Sequence, residues 1–180
     1  TILVMVVLGG MSSVLGIVFW IAATRFYSQE QVGVAAVLIA SMTTISYFSQ
    51  MNLGSFLTRF LPPGPTTARS LIIRTYAVAG VVSVVVATTF ALAVGDFAEP
   101  LRVVRDSPAH IAFFVASTLL WTIFALQDAV LSGLRRSTLV PVENTIYALL
   151  KIGIFLAFGF FALPSPLGIF YAWLAPLVPV

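Results

Sequence analysis

A lysine inside an apolar segment is the residue whose chemistry stands out most in this sequence. Lys151 lies well inside an apolar stretch that begins near residue 138, and Glu143 and Tyr147 precede it at intervals of four residues. A helix would place these three side chains, together with Asn144, on one broad face. An ionisable group at such depth costs roughly 2.5–3.5 kcal/mol to insert. The face therefore predicts the lining of a polar cavity or, as the alternative, an internal ion pair that holds helices together.

A single acidic residue marks the preceding apolar segment. Asp128 follows Gln127 near the end of that segment. We expect it to form a structural pair, with Arg135 or Arg136 just past the turn or with Lys151 on the next helix.

Three arginines and one histidine stand at the ends of other apolar segments. Arg25 lies at the end of the first segment among aromatic residues. It is interpreted either as a snorkelling anchor at the membrane surface or as an anion contact at the mouth of a cavity. Arg59 lies at the end of the second segment, and Arg74 near the start of the third is predicted to be an anchor. His110 begins the fourth segment without a partner ligand, which favours interfacial burial over metal binding.

The residue types for catalysis are scarce. The chain has one histidine and no cysteine, and it shows no Gly-rich phosphate loop or metal-ligand spacing. We expect no enzymatic activity, no cofactor and no metal. Nine basic residues are also too few for a nucleic-acid groove. The sequence favours a protein that moves a molecule over one that changes it.

Composition identifies the elements that must position these residues. Of 180 residues, 60% are hydrophobic and only 8% charged, with a mean hydropathy of +1.09. A soluble domain carries about 25% charged residues, so the chain is predicted to be an all-α, polytopic membrane protein whose helices form a bundle in the lipid bilayer. About six transmembrane helices are expected, at residues 2–24, 32–53, 71–94, 110–131, 138–163 and 167–180.

The connections between the spans predict their orientation. Residues 59–70 read as a loop because of their three prolines and one glycine. Under the positive-inside rule, the connections with the larger arginine excess are cytoplasmic. Those connections carry Arg59, Arg69, Arg74, Arg135 and Arg136 without an acidic residue between them. The opposite connections carry Arg25, Arg102 and Arg105 together with Glu30, Asp96, Glu99 and Asp106.

Small residues in the first span predict close helix packing. Gly9, Ser12, Ser13 and Gly16 form two overlapping pairs of small residues four positions apart. The chain begins at Thr1 and ends inside an apolar run, so we expect residues 1–180 to be a single helical bundle from a longer protein.

Two stretches carry a resemblance to a known family. The first is GGMSSVLGIVFWIAATRFYSQEQVGVAAVLIASMTTISYFSQMNLGSFLTRFLP, at residues 9–62, and the second is FALQDAVLSGLRRSTLVPVENTIYALLKIGIFL, at residues 124–156. They resemble helices of polysaccharide and lipid-linked oligosaccharide flippases. These flippases belong to the multidrug, oligosaccharidyl-lipid and polysaccharide exporter superfamily.

The resemblance implies more than composition does. Members have two lobes around a cavity that opens alternately to each side, so this chain would be the N-terminal lobe, completed by a C-terminal lobe or a partner subunit. They move undecaprenyl-pyrophosphate-linked oligosaccharides across the bacterial cytoplasmic membrane. By position, the cationic residues that would bind the pyrophosphate are Arg25, Arg59 and Lys151. Asp128, Glu143, Asn144 and Tyr147 would be polar residues of the cavity or of an ion pair.

Other functions stay open on the sequence. A cation-coupled multidrug exporter of the same superfamily would use buried carboxylates, for which Asp128 and Glu143 are the span-associated candidates. A membrane glycan polymerase or transferase would normally show a larger outer loop. A non-transporting membrane subunit would leave Lys151 facing lipid or a neighbouring acid.

Overall fold

The computed structural model describes residues 2–61, 65–161 and 166–177. Over these residues the protein is all-α, with no strand. Two 3₁₀ helices, Val94–Asp96 and Glu99–Val104, connect α4 to α5, and a third, Ala175–Leu177, follows α7. The α-helices are α1 (Ile2–Phe26), α2 (Gln29–Ser49), α3 (Leu53–Phe60), α4 (Pro65–Ala93), α5 (Pro108–Gly133), α6 (Leu139–Phe161) and α7 (Pro166–Leu174).

Five of the described helices are long and apolar enough to cross a membrane: α1, α2, α4, α5 and α6. The chain is therefore a multi-pass membrane protein, as its composition predicts. The predicted sixth span corresponds to a shorter apolar helix, Leu167–Leu177, which falls below the length of about 20 residues that a span needs. Residues 178–180 of that predicted span lie outside the described residues.

The prediction of a loop over residues 59–70 is wrong for most of that stretch. Residues 59 and 60 complete α3, and α4 begins at Pro65, while residues 62–64 lie outside the described part. A proline is well suited to the first position of a helix, because its missing N–H has no acceptor there. Pro166 opens α7 in the same way.

The second span ends earlier than predicted. Helix α2 ends at Ser49, and the next residues include Met51 and Asn52 with φ angles of 45° and 63°. Two consecutive residues in the left-handed region interrupt a right-handed helix. The eight residues of α3 therefore form a separate element, which the sequence interpretation missed.

The chain divides into two compact units, and the boundary falls within α2. Unit 1 comprises Thr1–Ile39 and Thr138–Val180. Here α1 packs against α6, and α6 packs against α7. The Ser12 hydroxyl lies 3.2 Å from the Thr145 hydroxyl across the α1–α6 pair. The buried core of unit 1 consists of Phe19, Ala23, Tyr27, Ala35, Phe155, Ile169 and Ala172.

Unit 2 comprises Ala40–Ser137. Helix α5 packs against both α4 and α3. Leu57, Ala79 and Leu126 form a buried core to which α3, α4 and α5 each contribute one residue. In the connection between α4 and α5, Arg105 forms a salt bridge of 2.7 Å with Asp96. Both partners of this bridge are exposed, so it adds at most about 1 kcal/mol.

Candidate functional site

Lys151 lies in the interior of unit 1, and three helices surround it. Helix α6 carries Lys151 and, one turn earlier, Tyr147. Helix α1 supplies Phe19 from the buried core of this unit, and α7 supplies Trp173, which is partly buried and packs against that core. The Lys151 side chain is only 4% exposed. The polar end of a lysine is therefore enclosed where a chain of this composition would normally place a leucine or a phenylalanine.

Aromatic rings form the immediate surroundings of the lysine ammonium group. Lys151 Nζ lies 3.8 Å from the centre of the Trp173 ring, 5.0 Å from Phe19 and 5.2 Å from Tyr147. All three distances fall within the range of about 6 Å over which a cation is attracted to a ring face. We call Phe19, Tyr147 and Trp173 the aromatic cage.

Ring-to-ring contacts and one hydrogen bond hold the aromatic cage in place. The rings of Phe19 and Trp173 meet edge to face, with centroids 5.3 Å apart. The Tyr147 hydroxyl donates a hydrogen bond of 2.8 Å to the Trp173 backbone carbonyl. This bond joins α6 to α7 at the level of the lysine, so the position of α7 determines whether Lys151 is covered.

Aromatic rings, and no carboxylate, are the groups that the described part of unit 1 places around the lysine ammonium. No carboxylate oxygen among the described residues of unit 1 lies within 4 Å of Nζ, and no hydrogen bond to Nζ occurs there. Glu143 and Asn144 are both half-buried, and the Asn144 amide donates to the Val140 carbonyl of its own helix, at 3.0 Å. The face predicted from residue spacing exists, but ring faces surround its cation. Cavity lining by Lys151 stays a prediction.

The other predicted site residues fall in different places. Arg25 lies in the last turn of α1 in unit 1, with an exposed side chain. Arg59 is exposed on α3 of unit 2, with its guanidinium carbon 5.6 Å from the centre of the Phe60 ring. Asp128 is half-buried on α5 of unit 2. Their roles as pyrophosphate ligands or ion-pair partners stay predictions.

Arg74 and His110 were not predicted to belong to the site. Arg74 is exposed in the first half of α4, and its role as an anchor stays a prediction. His110 is half-buried, and its Nδ1 lies 2.8 Å from the Val103 carbonyl oxygen. The described residues contain no group of three histidine, cysteine or acidic side chains that would hold a metal ion.

The aromatic cage itself was missed from the sequence. Phe19 and Trp173 were not predicted to lie beside Lys151. Neither residue is near Lys151 in the sequence, because α1, α6 and α7 meet only in the folded unit. One signal was available: an intramembrane lysine needs a partner, and aromatic side chains are the commonest polarisable groups in this chain.

A second polar cluster, in unit 2, was also missed. The hydroxyls of Thr122 and Ser83 lie 3.1 Å apart between α5 and α4, and Ser46 donates to the Thr118 carbonyl at 3.1 Å. All four side chains are fully buried. Hydroxyl groups of this kind join helices inside a membrane.

No protein-family model, curated protein or solved structure matches this chain.

Proposed function

We propose that this protein is a membrane transporter that moves an anionic lipid-linked glycan across the bacterial cytoplasmic membrane by alternating access. The substrate class that the sequence resemblance implies is an undecaprenyl-pyrophosphate-linked oligosaccharide. One observation carries the proposal: a lysine that is 4% exposed lies inside a membrane-spanning helix without a carboxylate partner in its unit.

Energetics explain why such a lysine suggests a function. Inserting a lysine in mid-span costs roughly 2.5–3.5 kcal/mol, and a desolvated cation–π contact returns about 2 kcal/mol. The three rings of the aromatic cage together offset this cost. An apolar side chain would fill the same space without any insertion cost, so a lysine here is better explained by what it binds than by what it stabilises.

The chemistry of the ammonium group fits an anionic substrate. Ring faces attract the charge of Lys151 but accept none of its three N–H bonds as a carboxylate would. Phosphate oxygens accept such bonds strongly, and lysine is a common phosphate ligand. A pyrophosphate that reached Lys151 would gain hydrogen bonds that the aromatic cage does not already satisfy.

Access to the lysine requires a change in unit 1. With Trp173 3.8 Å from Nζ, the cation is covered in this structure. Displacement of α7, which is joined to α6 by the bond from Tyr147 to the Trp173 carbonyl, would uncover it. In an alternating-access cycle this structure would be a state in which the anion site is closed. A second lobe or partner subunit would supply the opposite wall of the cavity.

Complementation tests the proposal directly. The gene that encodes this chain is expressed in a bacterial strain that lacks its polysaccharide flippase, and surface glycan is measured. We expect rescue by the wild type, loss of rescue with Lys151→Ala, and partial rescue with Lys151→Arg, which keeps the charge. Arg74→Gln, which removes an exposed arginine, should rescue normally. Near-normal export by Lys151→Ala at equal membrane abundance would overturn the proposal.

The aromatic cage also favours a second candidate, an exporter of organic cations. Rings arranged around a positive charge are a recurring device for binding quaternary ammonium ligands, and in this structure the charge of Lys151 occupies that position. In such an exporter Lys151 would compete with the substrate. Lys151→Met would then maintain or increase ethidium efflux, whereas Trp173→Ala would abolish it. A flippase predicts no ethidium efflux by any of these variants.

A further inference from the structure

Helix α3 of unit 2 follows a helix that is already long enough to span a membrane. Helix α2 has 21 residues and is therefore about 31 Å long, which already matches a hydrocarbon core of about 30 Å. The left-handed residues Met51 and Asn52 then turn the chain, and α3 begins at Leu53. A helix that follows a complete span so closely belongs to the interfacial region.

The faces of α3 fit an interfacial position. Leu57 is fully buried in the core that α3 shares with α4 and α5. Phe56 and Phe60 lie one turn apart beside this face and are 41% and 57% exposed, with ring centroids 5.3 Å apart. Arg59 flanks the two rings on their other side, with its guanidinium over Phe60. Aromatic residues bordered by a cation are typical of helices that rest at the headgroup level.

Further arginines surround α3 at the same end of unit 2. The C-terminus of α5 meets α3 closely, since a Cβ at Gly133 would lie 2.9 Å from the Leu57 carbonyl oxygen. Arg135 and Arg136 follow that terminus directly, and Arg69 lies in the first turns of α4; all three are exposed. No Asp or Glu occurs between residues 51 and 93 or between residues 129 and 142.

The backbone at Arg135 adds an independent observation. Arg135 has a φ angle of 59°, and the N–H groups of Arg135 and Arg136 donate to the carbonyls of Ser132 and Leu131. This hydrogen-bond pattern is the Schellman motif, whose left-handed position is usually glycine. A cation at a helix C-terminus interacts favourably with the helix dipole, but glycine would adopt this conformation without strain. An arginine in a position that favours glycine therefore indicates that its positive charge has a function.

We propose that Arg59, Arg69, Arg135 and Arg136, together with Phe56 and Phe60, form a binding surface for anionic phospholipid headgroups. We call these six residues the basic interfacial surface. The phenylalanine rings enter the boundary between headgroups and acyl chains, and the guanidinium groups bind the lipid phosphates, for which their planar donors are well suited. The proposal does not depend on what the protein transports.

Lipid retention tests this surface. The purified full chain is reconstituted in an equimolar mixture of phosphatidylglycerol and phosphatidylcholine and re-extracted, and the lipids that remain bound are quantified by mass spectrometry. We expect enrichment of phosphatidylglycerol in the wild type. Each arginine that contacts a phosphate should contribute about fivefold to apparent affinity, so Arg135→Gln with Arg136→Gln should remove most of the enrichment. The matched control is Arg102→Gln, an exposed arginine in the other connection of unit 2.

A further variant separates binding from folding. Arg135→Gly places the preferred residue in the left-handed position, so the melting temperature in micelles should stay equal or rise while phosphatidylglycerol retention falls. Phe56→Ser with Phe60→Ser should also lower retention, because the rings contribute apolar contact.

Three results would overturn the proposal. The first is equal retention of the two lipids by the wild type, and the second is enrichment that survives the arginine substitutions. The third is displacement of bound phosphatidylglycerol by inorganic phosphate. The last result would show that the arginines bind free phosphate and not lipid headgroups.

Discussion

The two units of this protein use glycine in opposite ways. In unit 2, a Cβ at Gly133 would lie 2.9 Å from a backbone oxygen of α3, and one at Gly80 would lie 3.2 Å from Leu119. In unit 1, a Cβ at Gly9 or Gly16 would meet no described atom within 4 Å. Unit 2 therefore uses its glycines for close helix contacts, whereas those on α1 of unit 1 leave a helix face open.

The units also bury polarity differently. Unit 2 buries hydroxyl groups in mutual or backbone hydrogen bonds, as at Ser83 and Thr122. Unit 1 buries a whole charge, that of Lys151, against ring faces that accept no conventional hydrogen bond. A hydroxyl pair is satisfied within one fixed arrangement of helices. A caged lysine keeps unused N–H donors, so the interior of unit 1 retains a charged group that a ligand could satisfy.

The largest effect is expected at the aromatic cage. Trp173→Ala removes the ring nearest to the ammonium and leaves a large void, which should destabilise the protein by about 3–5 kcal/mol. Unfolding in detergent micelles, followed by circular dichroism, measures this loss. Trp173→Phe keeps a ring face and should lose much less. A loss below about 1 kcal/mol for the alanine variant would show that the cage does not hold unit 1 together.

A smaller effect should distinguish the glycines of the two units. Gly133→Ala forces α3 and α5 apart, because a new Cβ would meet the Leu57 carbonyl, and should cost about 1–3 kcal/mol. Gly9→Ala meets open space in a helix interior and should be neutral or stabilise by up to about 1 kcal/mol. The same unfolding assay measures both variants. Equal losses of stability in the two variants would show that the units do not differ in how tightly their glycines pack.

Sequence reasoning predicted the helices better than their contacts. Long apolar segments predict membrane spans from length alone, and five of the six predicted spans correspond to helices of sufficient length. Helix α3 was missed because its eight residues are too few for a span, and because the left-handed conformation of Met51 and Asn52 has no signature in hydropathy. Likewise, Pro65 was interpreted as a helix breaker, although proline also begins helices.

The candidate site was predictable only in part, for a related reason. The identity and depth of Lys151 follow from the sequence, since charge inside an apolar segment is rare. Its cage depends on how α1, α6 and α7 come together, and residue spacing describes only one helix at a time. Small residues show the same limit: Ser12 contacts Thr145, whereas a Cβ added at Gly9 or Gly16 of the same predicted packing face would meet no described atom within 4 Å.

The smallest expected effect is a difference in coupling energy between one hydroxyl pair in unit 2 and one in unit 1. Ser83 and Thr122 of unit 2 lie 3.1 Å apart and are fully buried, while Ser12 and Thr145 of unit 1 lie 3.2 Å apart with Ser12 only half-buried. Each threonine also has a carbonyl of its own helix within 2.7 Å, so losing the serine leaves it satisfied.

Double-mutant cycles with serine to alanine and threonine to valine measure the coupling within each pair. Pairs of this kind average about 0.6 kcal/mol and reach about 1.7 kcal/mol. We expect the Ser83–Thr122 pair to exceed the Ser12–Thr145 pair, because fuller burial excludes competing partners for its hydroxyls. The reverse order would mean that α1 and α6 are held as firmly as α4 and α5. The open glycine face of α1 would then not reflect looser packing of unit 1.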